Sequence, residues 1–482
     1  MSIKFQVWKG LMEPPCQLLQ PCQVIKMVQM GCKIKGKLLE DDVDRNVVLW
    51  PMLTVFRITG VLPVSIRWVA GKNGYKYVNV TACKFYLAVS ALLLLVTIVH
   101  TLWAPMMLLR LEKSIMVAFA KTKEISHNLT MEHDRQMLTS KQAMVVKILH
   151  PLLICITSLT ARGLSVSLVP RRIPRLMKKL NRIDEVLSVP SEMCRSNGAA
   201  LLSFIAVLFI LNIPLMAYHL WQLSFFHSGW GNAWEAFSIF NIFTTFSMEF
   251  QFMTLCYVAR SRLAYINEKL GDFVADEFAS KTPEFFRPSR KRKIDVEVLS
   301  SILKIDLSKE VSRCIQERSL SLRSLRSGHI LLGDVMDDIN SIYQIHLLVS
   351  IFSSISKILF NLYFSIFGFI TSTKNLPSKI QRRQMYIVCF WTVFYCLRFL
   401  LIVVFAHLTS KESAKTKGIV TKIDPRIFEE SEKEEIKMFW EHLSGRDFEF
   451  SACGLFNLNM ALITSTFSSG ITYLVIMAQF HS

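Results

Sequence analysis

Long apolar runs separated by charged connections dominate the pattern of the chain. Several approach or exceed the roughly 20 residues that an α-helix needs to cross a hydrocarbon core about 30 Å thick. A β-barrel would show short alternating segments with frequent turn residues, and the sequence lacks that pattern. The predicted fold class is therefore an all-α, polytopic membrane protein with seven transmembrane helices, at 84–105, 143–168, 199–224, 235–259, 345–370, 384–408 and 453–480.

One apolar stretch, 47–69, differs from these runs because it holds Arg57 and Arg67 together with two prolines. Each arginine at the centre of a span costs roughly 2.5–3.5 kcal/mol. We therefore predict an interfacial amphipathic helix at about 47–69, lying on or dipping into the inner membrane face within an N-terminal region, 1–83, with an inserted span as the alternative. The first residues lack the continuous apolar core of a signal peptide.

The connections between the spans predict where a cytoplasmic part is built. Residues 84–259 hold helices 1–4, and 260–344 begin as a continuation of the fourth helix, pass through a basic loop and become helical again. Helices 5 and 6 occupy 345–408. Residues 409–452 contain an amphipathic anchor helix near 427–449, with alternating Glu and Lys on one face, and 453–482 form helix 7.

Charge gives the orientation of these helices. The chain is 51% apolar, with a mean hydropathy of +0.35, and it carries 56 Lys and Arg. Of these, 41 fall in the N-terminal region and in alternate connections, against 10 in the other set. The positive-inside rule therefore places the N-terminus in the cytoplasm and the C-terminus outside. Asn128 begins an Asn-Leu-Thr glycosylation acceptor in the first predicted outer loop.

The composition argues against an enzyme. The sequence has no Gly-rich phosphate loop, no nucleophile-elbow pattern and no His or Cys at metal-ligand spacing, so we predict no catalytic residue, metal or cofactor. The eleven Cys all lie in spans or inner segments, which predicts free thiols. The basic cluster at 288–293 is interpreted as a solvated or lipid-facing loop, with no nucleic acid as partner.

Ionisable residues lie near the middle of the fourth, fifth and sixth predicted spans, at Glu249, Lys357 and Arg398. All three sit about 15–18 Å from the inner ends of their helices, at a rise of 1.5 Å per residue. An unpaired charge at that depth is expensive, so we predict that they face the bundle interior and that Glu249 pairs with Lys357 or Arg398. The pair is interpreted either as structural or as a coupling element between an outer pocket and a gate.

The outer halves of helices 3 to 6 are rich in aromatic residues. Aromatic faces with a few amides suit a pocket for a small sugar or a plant-derived ring compound, although Trp and Tyr also anchor membrane interfaces. The candidate ligand-binding residues are Tyr218, Gln222, Asn361, Tyr363, Phe364, Trp391 and Tyr395.

The last span carries polar groups inside its apolar run. Such groups stay hydrated in a helix that lines a water-filled path. Thr472, Ile476 and Gln479 share one helical face, at i, i+4 and i+7. The competing interpretation is that Gln479 merely hydrogen-bonds a neighbouring helix.

This C-terminal run resembles the pattern of the insect gustatory receptors: Thr-Tyr, five hydrophobic residues, then Gln-Phe. Thr472, Tyr473, Gln479 and Phe480 fill its fixed positions, and segment 450–456 is similar to the family's entry into helix 7. The resemblance implies a tetrameric, ligand-gated, non-selective cation channel in which each subunit binds a tastant. Helix 7 would line the pore, with the gate at Thr472, Tyr473, Ile476, Gln479 and Phe480.

The implied partners are a small-molecule tastant, monovalent cations with divalent cations as a further possibility, membrane lipids, and identical or related subunits in a homotetramer or heterotetramer. The implied location is the plasma membrane of gustatory sensory neurons. Sugar receptors of the family often carry an acidic residue after Thr-Tyr, where this chain has Leu474. A bitter plant compound is therefore the first ligand expectation, and fructose or another sugar the second. An obligate co-receptor subunit is a competing expectation, and a G-protein-coupled receptor or a transporter is a more distant one.

Overall fold

The computed structural model describes residues 56, 59–70, 76–103, 130–189, 229–281, 297–372, 378–424, 426, 428, 430–446 and 448–479. Within these ranges the chain forms long α-helices and two short β-hairpins, so the predicted all-α class is confirmed. The helices are α1 (Lys84–Trp103), α2 (Thr130–Ser167), α3 (Val169–Leu187), α4 (Gly229–Lys281), α5 (Glu297–Ser372), α6 (Ser378–Val420), α7 (Glu430–Ser444) and α8 (Met460–Gln479).

Three helices are much longer than a membrane is thick. Helices α4, α5 and α6 have 53, 76 and 43 residues. At a rise of 1.5 Å per residue, α5 alone is about 114 Å long. The fourth predicted span therefore continues without a break into 260–281, and the fifth lies near the C-terminal end of α5. Helices of this length cannot fit within a hydrocarbon core roughly 30 Å thick, so we expect part of each to extend beyond it.

Four helical segments in the described ranges are both long and apolar enough to cross a membrane: Lys84–Trp103, Leu149–Ser167, Leu320–Tyr363 and Met385–Val420. Met460–Ile476 is a shorter apolar helix. The fourth predicted span, inside α4, is more polar because Asn241, Thr244 and Ser247 are buried in the bundle, where small polar side chains join helices. The third predicted span, 199–224, lies outside the described residues.

The buried apolar side chains form a main core and a separate cluster around α7. The main core joins α2 to α6 with the segment before α8. In contrast, α1 exposes Phe85, Leu92 and Leu102, as expected for a helix that faces lipid. The second group, called the α7 cluster here, consists of Leu270, Phe273, Leu322, Val420, Ile423, Phe428, Ile436, Phe439 and Leu443.

The interfacial helix predicted at about 47–69 is wrong over its last six residues. Val64–Ala70 is a strand, β1, paired antiparallel with β2 (Lys76–Ala82), and Val64 lies opposite Ala82. The two segments are rich in β-branched and aromatic residues, which favour strands. Most of 47–58 lies outside the described residues.

Helix 7 begins later than the predicted residue 453. Strands β3 (Ser451–Ala452) and β4 (Phe456–Asn457) form a hairpin first. Its turn places Cys453 and Gly454 at φ values of 53° and 71°, and Gly454 adopts this left-handed conformation without strain. Asn459 then caps the start of α8 through a 3.2 Å bond from the Leu462 amide to its side-chain oxygen.

Phe448, which precedes this hairpin, packs closely on α5, and this contact gives a testable prediction. A Cβ added at Gly333 would lie 2.3 Å from Cζ of Phe448. We expect Gly333→Ala to lower the free energy of unfolding by about 1–3 kcal/mol through overpacking. The control is Gly418→Ala in α6, where an added Cβ meets nothing within 4 Å. It should instead stabilise the protein by about 0.5–1 kcal/mol. Equal melting temperatures for the two variants, measured by intrinsic fluorescence in detergent, would contradict the packing of Phe448 on α5.

Candidate functional site

A buried ion pair joins α4 to α6. Glu249 is fully buried and Arg398 is 4% exposed. Arg398 donates from Nε to Oε2 of Glu249 at 2.8 Å, and from Nη2 to Oε1. Ser350 of α5 donates its hydroxyl to the same carboxylate. The carboxylate therefore joins α4, α5 and α6. Of the two partners predicted for Glu249, it contacts Arg398.

Lys357 of α5 lies close to this pair but contacts an aromatic ring instead. Its Nζ is 4.9 Å from the ring centroid of Tyr395, a cation–π contact. Arg398 contacts the same ring, with Cζ at 5.8 Å from the centroid. Among the described residues no carboxylate forms a salt bridge with Lys357. Tyr395 is thus bordered by two cations.

Tyr395 also belongs to an aromatic cluster on α6. Trp391, one turn earlier, stacks on it with ring centroids 5.8 Å apart and an angle of 26°. Phe394 meets both rings edge-on, and His150 of α2 approaches Tyr395 edge-on at 6.3 Å. Ile154, Ile242 and Ile358 pack around these rings. The cluster joins an apolar wall with the cationic group of Lys357, and it is called the aromatic site below.

The structure brings together only part of the predicted ligand-binding set. Trp391 and Tyr395 meet because residues four apart share a helical face. Asn361, Tyr363 and Phe364 lie on α5, and the Asn361 amide nitrogen is buried without a hydrogen-bond partner among the described residues. The other candidates lie outside the described residues, as does the glycosylation candidate: Tyr218, Gln222, Asn128.

Several residues of this region were missed by the sequence reasoning. His150, Phe394 and Ser350 carry no signal of their own: one His, Phe or Ser in an apolar run is unremarkable. Only the position of Phe394, three residues after Trp391, places it near the same helical face. Arg162 of α2 is fully buried. Because it is a charged residue inside a predicted span, the sequence itself could have indicated it as a candidate.

The last helix, α8, presents two different faces. Thr472, Tyr473, Ile476 and Gln479 are all exposed on the protomer. They are called the pore face below because the sequence predicts that they line a pore. Phe467, Gly470 and Leu474 lie roughly half a turn away and face α5 and α6. Phe480, the remaining predicted gate residue, lies outside the described residues. The predicted gate positions thus point away from the subunit that carries them.

An apolar groove of about 510 Å³, a volume that includes the solvent at its opening, runs between α8 and the helices α5 and α6. Cys396 and Thr466 are among the few residues with polar atoms in its wall. The side of α8 that faces its own subunit is therefore apolar. The residues lining the groove are Ile355, Ile358, Leu359, Leu362, Cys396, Phe399, Leu400, Thr466, Phe467, Gly470, Ile471 and Leu474.

This helical arrangement is the fold of the insect olfactory receptors. The structure of olfactory receptor OR5 from Machilis hrabei superposes with a TM-score of 0.57 at 12% identity, covering 90% of this chain and 97% of OR5. The structure of OR5 in complex with eugenol superposes over the same shares, with a TM-score of 0.55. At this identity the likeness concerns the fold alone.

A family model described as "7tm Chemosensory receptor" matches residues 125–482, so the chain belongs to the 7tm chemosensory receptor family. This family consists of receptors, in agreement with the prediction that the protein is not an enzyme. The gustatory receptor for sugar taste 43a of Drosophila melanogaster is 33% identical over 165 residues. Those residues are 34% of this chain and 37% of the Drosophila receptor, so the match spans about a third of that relative.

Proposed function

We propose that this protein is a gustatory receptor that acts as a tastant-gated, non-selective cation channel, with α8 of each of four subunits lining a central pore. The observation that carries the proposal is the two-sided character of α8. Thr472, Tyr473 and Gln479 are exposed on this face, and the Thr472 hydroxyl also donates to the Ser468 carbonyl of the same helix at 3.0 Å, while the opposite face lies against α5 and α6. A helix that presents polar groups outside its own bundle, within a membrane, needs either water or another subunit beside it.

The charge distribution supports a plasma-membrane orientation with the N-terminus inside and the C-terminus outside. The aromatic site then lies in the outer half of the bundle, and α7 on the cytoplasmic side. In this arrangement the Glu249–Arg398 pair lies between the aromatic site and the cytoplasmic helices. In this position the pair would transmit a conformational change from the aromatic site to the cytoplasmic helices. The competing interpretation is that the pair is purely structural.

For the ligand, we propose a small sugar, bound at the aromatic site. Trp391 is partly exposed and offers a flat apolar ring surface for the C–H face of a sugar, with the buried Tyr395 stacked against it and the buried Lys357 in contact with the Tyr395 ring. The relative named for sugar taste favours the same class. The bitter-compound expectation rests on Leu474 alone and remains the rival prediction.

Whole-cell recording from cells that express only this chain, with G-protein signalling blocked, tests the proposal. The panel contains fructose, other sugars, and bitter alkaloids and glycosides. A prompt non-selective cation current to a sugar supports it, and a current to a bitter compound alone corrects the ligand class. Silence with the protein confirmed at the surface would favour an obligate partner subunit. A response abolished by the G-protein block would overturn the channel.

The aromatic site gives a prediction on ligand sensitivity. Trp391→Ala removes one of the two stacked rings. We expect the sugar concentration for half-maximal current to rise about tenfold, the equivalent of about 1.4 kcal/mol, with ion permeability unchanged. Val393→Ala, on the exposed side of the same helix, is the matched control and should leave the response unaltered. If Trp391→Ala changes only surface expression, the pocket is assigned to the wrong place.

The pore face gives the complementary prediction. Gln479→Ala removes the amide from each α8, so single-channel conductance or relative cation permeability should change while ligand sensitivity stays the same. Gln479→Asn keeps an amide at this position and should retain more of the original conductance. Unchanged conductance and permeability in Gln479→Ala would favour the interpretation in which Gln479 hydrogen-bonds a neighbouring helix.

A further inference from the structure

A second buried cation, Arg162 of α2, lies apart from the Glu249–Arg398 pair. Its side chain is fully buried. One of its nitrogens, Nη2, donates to the Thr244 hydroxyl at 2.8 Å and lies 3.5 Å from the side-chain oxygen of Asn241, both on α4. Its Cζ is 5.1 Å from the ring centroid of Phe240. In the described part of the chain all these contacts are with neutral groups. The guanidinium meets polar side chains and an aromatic ring there, but no carboxylate.

The hydrogen bonds around Arg162 leave only donors unmatched. Nε and Nη1 of Arg162 and Nδ2 of Asn241 are buried and have no hydrogen-bond partner among the described residues. The Asn241 oxygen is already engaged, because it also accepts from Ser158 at 2.9 Å. Burying an N–H without an acceptor costs about 1–3 kcal/mol. Three such donors on two adjacent side chains match a ligand that is an acceptor only.

The charge balance of the buried bundle points the same way. Among the described residues inside the predicted spans, Arg162, Lys357 and Arg398 are buried cations, whereas Glu249 is the one buried carboxylate, and it is bound to Arg398. Charges within a membrane are paired because an isolated one is costly. The region is therefore short of negative charge, and Arg162 is where that shortage coincides with unmatched donors.

The backbone at Gly60 lies close to the guanidinium. Gly60 has a φ of 71°, and a Cβ added there would lie 3.7 Å from both Nη1 of Arg162 and Oγ of Ser90, as well as 2.8 Å from Leu93. The Ser90 hydroxyl donates to the Gly60 carbonyl at 2.8 Å, which connects α1 to the same spot. The Gly60 backbone, α1, α2 and α4 therefore meet at the guanidinium, and the close contact with Leu93 limits a ligand there to a small ion.

We propose that Arg162 and Asn241 form an intramembrane binding site for a small inorganic anion, with chloride as the physiological ligand. The anion accepts hydrogen bonds from Arg162 and from Nδ2 of Asn241 and neutralises the guanidinium. It thereby holds α2 against α4, the helix that carries Glu249 two turns further on. This site is independent of the tastant and of the proposed channel activity.

The test is the melting temperature of the purified full-length protein as chloride replaces gluconate at constant ionic strength. A saturable rise of about 2–4 °C with chloride is expected, because a ligand that binds only the folded state stabilises it. Bromide should act similarly. Arg162→Gln should abolish the rise. Arg172→Gln, which removes a guanidinium bound to the Ser341 hydroxyl outside the predicted spans, should keep it.

Asn241→Asp provides a second variant that does not depend on the loss of Arg162. It places a carboxylate beside the guanidinium with almost no change in shape, so the protein should become insensitive to chloride and melt in gluconate no lower than the wild type does in chloride. Identical melting curves of the wild type in chloride and gluconate would overturn the proposal and leave ordered water as the acceptor. A chloride effect that persists in both variants would overturn it as well.

Discussion

Replacing Arg398 with methionine is expected to lower the free energy of unfolding by about 3–5 kcal/mol because of the carboxylate that is left behind. Glu249 is fully buried and receives two of its hydrogen bonds from Arg398. The variant would therefore hold an uncompensated charge inside the bundle. The measurement is the melting temperature of the full-length protein in detergent, together with the fraction that reaches the cell surface.

The double variant Glu249→Gln, Arg398→Met is the control for this prediction. It removes both charges, and its glutamine can still accept a hydrogen bond from Ser350. We therefore expect it to be more stable than Arg398→Met alone, and the departure from additivity measures the coupling between the two residues. A single variant as stable as the wild type would mean that the pair contributes nothing.

The double variant also distinguishes the two interpretations of the pair. If the protein reaches the surface and conducts normally in response to its ligand, the pair is structural. If it reaches the surface but no longer responds, the pair couples the aromatic site to the pore. The comparison requires matched surface expression, because a folding defect alone also reduces current.

Phe439→Ala is expected to cost about 3–5 kcal/mol for a different reason. The Phe439 ring is fully buried in the α7 cluster, among side chains from α4, α5 and α6. Truncation would leave a cavity where these helices meet. The next residue, Trp440, is 48% exposed, and Trp440→Ala should change the free energy of unfolding by less than about 0.5 kcal/mol.

The two adjacent substitutions make this test specific. Both remove a large aromatic side chain from the same turn of α7, so a general effect on the helix would appear in each. Similar melting temperatures for the two variants would show that α7 does not pack through the Phe439 face. A loss confined to Phe439→Ala would support the packing of α7 on α4, α5 and α6 through the α7 cluster.

The helices could be predicted because their signal is local. An apolar run of about 20 residues is unstable in water and has few competing structures besides a membrane helix, so length and hydropathy suffice. The faces of single helices follow from the same reasoning: Thr472, Ile476 and Gln479 share one face of α8, and Trp391 and Tyr395 share one face of α6. Positive charge between the spans likewise predicts an orientation.

The two hairpins could not be predicted in the same way. The segment containing β1 is apolar at spacings that fit a helix or a strand, and pairing with β2 decides between them. The start of α8 depends on a turn at Cys453 and Gly454 and on the cap at Asn459. These features need a partner strand or a specific backbone conformation, and hydropathy records neither.

The class of protein, the approximate course of its helices through a membrane and the residues on each helical face all follow from the order of the amino acids. Which of those faces meet became visible only in the folded chain. The fold paired Glu249 with Arg398, set Lys357 against Tyr395, and left Arg162 without a counter-charge among the described residues. The physical reason is that helix formation depends on hydrogen bonds between residues four apart, whereas the partner of a buried charge comes from another helix, more than a hundred residues away for Glu249 and Arg398.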